Sequence, residues 1–489
     1  MARAYLWRVS IACLALVSVA CDATTNGGHR TTEIVSFVAT PTSIESGDSV
    51  VLSWRVENAG QHADPNTFSC SLSRRFEGIP AEAASEVACE GQHDDVPRPP
   101  AGATYVRYQI NALKRPYDAA NPYVTATATV AFDEATSTPT SVAIAGGYGH
   151  SLALLEDGTV WAWGSNPYGQ LGRGDTTDSR TPVHVVGLSD VTSIAAGRDH
   201  SLALRPNGTV WAWGSNWTGQ LGDGTTTARS TPVQVPGLSD VSAIAAGTNH
   251  SLALRADGTV WAWGENILHG QLGDGTTTDR FTPVQVLVVG DATAIAAGAN
   301  HSLALRGDGT VLAWGDNGYG QLGDGTTTER LTAVQVLGLG GVSSVAAGRH
   351  HSLALRGDGT VFAWGHNAYG QVGDGTGTDR LTPVQIAGLS SVAGVSSAGF
   401  HSLALGADGV VRAWGRNAFG QLGDGTISDR LAPVQITGLD DGIDVAAGTE
   451  HSLALRADGI VWAWGRNWLG QLGDGSATDR LAPVRVAAP

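Results

Sequence analysis

The string His-Ser-Leu-Ala-Leu occurs seven times, with its histidine at positions 150, 200, 250, 301, 351, 401 and 451. The step is 50 residues, with a single step of 51. A period of this length means that one small supersecondary unit is repeated, and that each copy buries its apolar side against the next. Seven copies fill residues 141–489 with almost nothing to spare. The extra residue falls in the third copy, where Gly264-Glu-Asn-Ile-Leu-His-Gly270 is one longer than Gly214-Ser-Asn-Trp-Thr-Gly219.

One unit reads as four strands, in the third copy at 244–247, 250–254, 259–263 and 283–286. Between the second and third stands Asp-Gly or Asn-Gly (Asp157-Gly158, Asn207-Gly208, Asp257-Gly258 and their equivalents), a hairpin signal because the tight turn needs positive φ. No helical period is present in the repeat. Repeated four-stranded units of this size predict the blades of a β-propeller. The first strand is rich in Ala and Gly, as it must be where blades crowd round an axis. The fourth opens with proline in six copies (Ala333 is the exception), which suits an outermost edge strand. Leu on the second strand and Trp on the third are placed to fill space over small residues of a neighbouring blade. Spacing alone leaves open whether the last strand clasps the first blade.

The pattern Ala-Ala-Gly-x-x-His-Ser-Leu-Ala-Leu, followed by Asp-Gly-x-Val-x-x-Trp-Gly-x-Asn-x-x-Gly-Gln-Leu-Gly, runs through 446–473 and, one residue longer, through 246–273. It closely resembles the regulator-of-chromosome-condensation repeat. That resemblance implies a seven-bladed propeller, matching the count. Two departures stand out: Ala398 replaces the strand-one glycine in copy six, and Gly146-Gly147 replaces Ala-Gly in copy one.

Residues 33–134 lie outside the repeat. Short β-type segments at 34–39, 49–56, 67–72, 85–89, 104–113 and 123–132 predict a β-sandwich. The stretch from Ala39 to Trp54 resembles bacterial immunoglobulin-like modules. The fold class expected is therefore all-β: a seven-bladed propeller (141–489) preceded by an immunoglobulin-like sandwich (33–134) and a linker (135–140). Ahead of these, Arg3 and Arg8 precede a run of 12 weakly polar to apolar residues, 9–20, too short to span a bilayer and read as a secretory signal. Small residues before Cys21 resemble a lipobox, although Ser18 departs from its pattern. Lipidation of Cys21 with a polar tether over 21–32 is expected, the alternative being plain cleavage after Ala20. Cys13 would leave with the signal. Cys70 and Cys89 then remain, and are read as a disulfide formed in an oxidising compartment, against the alternative of two free buried thiols.

Charge excludes some partners. The whole chain carries 45 acidic and 29 basic residues, a net of −16. Residues 22–140 hold 15 acids and 8 bases, and 141–489 hold 30 and 19, the other two bases being Arg3 and Arg8, so each part is acidic. Neither has the basic footprint of a nucleic-acid binder. An anionic bilayer would repel both, so membrane contact is expected through the lipid anchor alone.

The seven histidines recur once per unit at the head of a strand, which marks architecture rather than a catalytic or metal site; backbone hydrogen bonds are expected for them. His350 and His351 adjoin, but neighbours on a strand point to opposite faces and make a poor chelate. The Gly-Asp-Gly-Thr segments lack the alternating carboxylates of a calcium loop, and an arginine six residues after each aspartate (Asp223 with Arg229, through Asp474 with Arg480) reads as a brace. Copy one has Arg173 instead. No Gly-Lys-Ser/Thr, Gly-x-Ser-x-Gly or Cys/His nucleophile pair occurs in the repeats, so no cofactor, no metal and no catalytic residue is expected.

In an up-and-down blade, alternate loops emerge on one face. The loop between strands one and two therefore joins the loop between strands three and four. The first varies most among copies and holds Arg198, Arg349, Phe400 and Glu450. The second carries a bulky residue in every copy: Tyr168, Trp217, Leu268, Tyr319, Tyr369, Phe419 and Trp468. Aromatic residues and Arg are the usual anchors of an interface. These residues are the candidate partner-binding set, with padding of the long loops as the competing reading. The expected function is a secreted or lipid-anchored bacterial envelope protein, monomeric, whose propeller face binds a protein. The alternatives are a secreted protein inhibitor of an enzyme and an envelope-polymer binder or hydrolase.

Overall fold

The computed structural model describes residues 140–488. The signal, Cys21, the tether, the immunoglobulin-like module, the Cys70–Cys89 pair and the linker up to 139 lie outside the described residues.

The first blade is made by Ser141–Gly146, His150–Leu155, Val160–Gly164 and Ser179–His184, hydrogen-bonded in that order. Six further four-stranded antiparallel sheets follow, ending with Gly442–Ala447, His451–Arg456, Val461–Gly465 and Arg480–Arg485. Each blade comes from one continuous stretch of chain, and the last strand stays in its own blade. Among the described residues no strand exchange clasps the ring. It is shut by side-by-side contact of blades seven and one: Thr449 N–H donates to Gly147 O at 3.0 Å and Gly475 N–H to Arg180 O at 3.0 Å.

Register explains the packing. In the third blade Leu252 stands opposite Ala262 and Leu254 opposite Val260, while Ser251 stands opposite Trp263 and Ala253 opposite Trp261. Because side chains alternate along a strand, one face of the blade is Leu/Val and the other Ala/Ser/Trp. The Leu/Val face of each blade packs on the Ala/Trp face of the next: Leu252, Leu254 and Val260 enclose Ala304 and Trp314 of blade four. The same cluster recurs at the closure, where Leu453, Leu455 and Val461 meet Ala153 and Trp163. All seven of these tryptophans are at most 1% exposed. Each indole N–H is satisfied by a carbonyl of the preceding blade, as Trp263 Nε1 is by Gln220 O at 2.9 Å. Removing one of them would cost about 3–5 kcal/mol.

Candidate functional site

The two loops assigned by parity to one face do meet there. In every blade the residue after the third-strand glycine donates its N–H to the loop between strands one and two, from Ser165 to Gly149 O at 2.7 Å to Arg466 to Glu450 O at 3.0 Å. The hairpin turns face the other way and bond the links between blades, as Val191 N–H does to Gly158 O at 3.0 Å. An axial cavity of about 650 Å³ is lined by the innermost strands. At the loop face it is bordered by Tyr148, Arg198, Asn249, Glu265, Asn300, Arg349 and His350.

The bulky loop residues fall into two environments. Trp217, Leu268, Tyr319 and Trp468 are exposed, at 68%, 72%, 40% and 60%. Tyr168, Tyr369 and Phe419 are half-buried. Trp217 and Trp468 take the first x of Asn-x-x-Gly and stand outward, whereas the half-buried three take the second, as does Tyr319, the least exposed of the four. Edge-to-face pairs join Tyr168 to Trp217 (5.1 Å), Tyr369 to Phe400 (5.4 Å) and Phe419 to Trp468 (6.2 Å).

Arginines interleave with these rings. Arg349 lies over Phe400 at 5.2 Å and Arg198 over Tyr148 at 5.4 Å. Arg466 lies over Phe419 and Trp468, at 4.8 and 4.4 Å. Glu450 is mostly enclosed and forms ion pairs with Arg416 at 3.8 Å and with Arg466. The structure thus joins the candidates of blades five to seven into one aromatic and cationic belt, which Tyr319 of blade four meets through His366, 4.5 Å from Tyr319 and 5.8 Å from Phe400. Tyr168 with Trp217 stands apart, and so does Leu268. The sequence reading missed Arg416 and Arg466. They occupy the position after Trp-Gly, which reads Ser165, Ser215, Glu265, Asp316, His366, Arg416, Arg466 round the ring. Variation among copies, the criterion used for the neighbouring loop, would have found them.

Beneath the face runs a closed circuit. His250 Nε2 bonds Ser302 Oγ of the next blade at 3.0 Å, and Ser302 Oγ donates to Gln271 O at 2.9 Å. The serine proton is committed to that carbonyl, so the imidazole Nε2–H is the donor. The link repeats seven times and closes from His451 to Ser151 at 2.8 Å. The expectation of backbone partners for these histidines is corrected: the partner is a serine side chain one blade on. Burial lowers every one of them, His150, His301 and His401 to about 4 and His200, His250 and His451 to about 3. They are neutral structural groups and offer no general base.

The Asp–Arg brace is present at 2.5–2.8 Å in blades two to seven. In blade one Arg173 takes the arginine's part with Asp175, at 2.7 Å. One group of metal-type donors also occurs among the described residues: ligand atoms of His269, Asp316 and Glu329 lie within 4.8 Å of one another.

A family model described as the RCC1-like domain matches residues 118–437 and 240–489. Over 50 residues, 10% of this chain, the sequence is 42% identical to the E3 ubiquitin-protein ligase HERC2 of Homo sapiens. Over 42 residues, 9% of the chain, it is 45% identical to the ultraviolet-B receptor UVR8 of Arabidopsis thaliana. These stretches span 1% and 10% of the two relatives' own lengths. Among solved structures, Prp20p of Saccharomyces cerevisiae, described by its binding to Gsp1p and histones, is similar with a TM-score of 0.61 and 26% identity. That match covers 72% of this chain and 88% of Prp20p.

Proposed function

The chain belongs to the family of RCC1-like domains, and from that membership we propose that its propeller is a protein-interaction platform that engages a protein partner through the loop face. The observation that carries this reading is the asymmetric belt of blades five to seven. A propeller needs its histidines, tryptophans and glycines in every blade. It has no structural need for an exposed Trp468 stacked under Arg466 in one blade alone, or for Arg349 over Phe400 in another. Tyr and Trp rings flanked by Arg are the residue types that dominate binding energy at interfaces. Prp20p, of the same fold, is described as binding proteins.

The proposal extends to location. Arg3 and Arg8, the run 9–20 and Cys21 support export to a bacterial envelope with acylation of Cys21 as the anchor, and the module at 33–134 would then act as spacer.

Photo-cross-linking on intact cells tests the platform. A photoreactive residue at 468 is expected to give a discrete adduct, and one at Asp257, on the hairpin face, none. Trp468→Ala and Arg349→Ala are expected to reduce that adduct while leaving the melting temperature within a few degrees. Equal adducts from both faces, or loss of folding in both variants, would show the belt to be loop padding.

A further inference from the structure

The third blade carries the inserted residue, and its effects reach the neighbouring blades. In the other six blades the loop glutamine accepts, through Oε1, the N–H two residues before it, as Gln321 does from Tyr319 at 2.9 Å. Gln271 is fully buried with neither Oε1 nor Nε2 hydrogen-bonded. Leu268 is forced to φ +82°, a conformation costly for a side chain of this kind. The insertion turns His269 towards blade four, where its Nδ1 lies 2.7 Å from Glu329 Oε1.

Glu329 also departs from its copies. In blades one, three, five, six and seven the equivalent residue is aspartate and caps the N–H of the loop asparagine, as Asp379 caps Asn367 at 2.8 Å. The longer Glu329 bonds His269 instead. Between them lies Asp316, only 8% exposed. Its Oδ1 accepts the Gly318 N–H at 2.9 Å. From blade five, His350 brings an enclosed Nδ1 that has no hydrogen bond to within 3.5 Å of Asp316 Oδ2. Among the described residues no arginine pairs with either carboxylate. One imidazole and two carboxylates from blades three and four therefore converge on one spot, and a second imidazole from blade five, with an unpartnered nitrogen, adjoins the buried carboxylate.

We propose that this group binds one divalent transition-metal ion, with His269, Asp316 and Glu329 as ligands and the His350 ring beside Asp316. Imidazole nitrogen with carboxylate oxygen is the donor set that Zn²⁺ accepts, and three such groups leave water the fourth position of a tetrahedron. Metal–ligand bonds of about 2.0–2.2 Å place donor atoms about 3.3 Å apart, so the present spread closes by a movement of roughly 1 Å or less. The ion ties blades three and four together at the loop face and gives the inserted residue its purpose. The pair His350-His351 is no chelate in itself. One ring enters the buried circuit while the other stands beside Asp316.

The full chain, stripped with a chelator, is titrated with Co²⁺ and then Zn²⁺. One equivalent is expected to produce the visible band of tetrahedral Co²⁺, displaced by Zn²⁺, and Zn²⁺ is expected to raise the melting temperature. His269→Ala and Glu329→Gln should each weaken uptake by about tenfold or more and abolish the thermal shift, with unchanged far-ultraviolet circular dichroism. A variant lacking His29, His62 and His93 should bind like the parent. If the parent takes up no metal, if both site variants bind as the parent does, or if only the variant lacking those three histidines loses binding, the site does not exist. Should His269→Ala misfold, Glu329→Gln alone decides.

Discussion

His250 has 0% of its surface exposed and yet is polar. Such a group is stable inside only when neutral and hydrogen-bonded. Ser302 supplies the bond, and burial, aided by the neighbouring His301, lowers the pKa to about 3. The unfolded chain takes up protons on these imidazoles below about pH 6.5 while the folded chain does not. Stability is therefore full above that pH and declines as pH falls towards 4. Asp444 works in the opposite sense: burial raises it to about 6, so its contribution is lost as pH rises from 3.8 to 6. Burial raises Asp199 as well, so two such groups stand against seven. Urea unfolding at pH 7.5 and pH 5 is expected to show a large loss at the lower pH, and a variant with His200→Asn and His250→Asn a smaller dependence. A flat profile between those two values would mean the circuit is protonated in the native state. At neutral pH, His250→Ala should cost about 2–4 kcal/mol through the cavity and the orphaned serine. The structural nature of these histidines was legible in their equal recurrence. Their partner was not. Each histidine has a serine beside it in sequence, but it bonds the serine of the next blade, and no spacing reveals that choice.

At the scale of the element, the long outer loop is held by two residues acting as a clamp. Asp324 accepts Thr326 N–H, Thr326 Oγ1 at 2.7 Å and Asn317 Nδ2 at 3.1 Å through one oxygen, and Arg330 through the other. Burial pushes the Asp324 carboxyl up, and the bonds from Thr326, Arg330 and Asn317 outweigh it, leaving the pKa below its ordinary value. The aspartate side chain is 7% exposed and the arginine 35%. Losing the aspartate orphans several donors, whereas losing the arginine breaks one partly solvated pair. Asp324→Ala is expected to cost about 2 kcal/mol and to open 323–329 to proteolysis, and Arg330→Ala below about 1 kcal/mol. Equal losses would mean that charge, not hydrogen bonding, braces the loop. The Asp–Arg spacing made this pair legible from sequence, as the Asp-Gly pairs did the hairpins. The departures were harder to read. Copy six lacks the strand-one glycine, and there Ser397 Oγ donates to His401 O at 3.0 Å, the bond that the Gly247 N–H makes to His250 O elsewhere. The His269–Asp316–Glu329 group was not legible at all, because its members are 47 and 60 residues from His269 and belong to two copies. Only the position of one blade against the next brings them together.

The propeller is a ring of seven matched interfaces, and the one between its last and first blades is of the same kind as the others. Blades seven and one share the Leu/Val-on-Ala/Trp cluster, the His–Ser bond and the Trp-to-carbonyl bond found between every other pair. The link from blade four to blade five runs over the six residues 336–341. From the last strand round to the first, residues 486–489 and 139–140 also make six. A direct peptide bond from Pro489 to Pro139 therefore has the length of a natural link. Since no strand crosses between blades, continuity of the chain can be moved without removing any hydrogen bond of a sheet. A circular permutant of 139–489 that begins at Gly338 and ends at Leu337, both exposed, is expected to fold and to melt within a few degrees of the unpermuted propeller. One opened instead between Asp308 and Gly309 cuts a hairpin inside blade four and should melt far lower, because it frees the second strand from the third across a buried interface. If both permutants melt alike, a blade is not the cooperative unit. If the first alone fails to fold, the seventh interface depends on residues before 139 and the ring is not closed by blade packing.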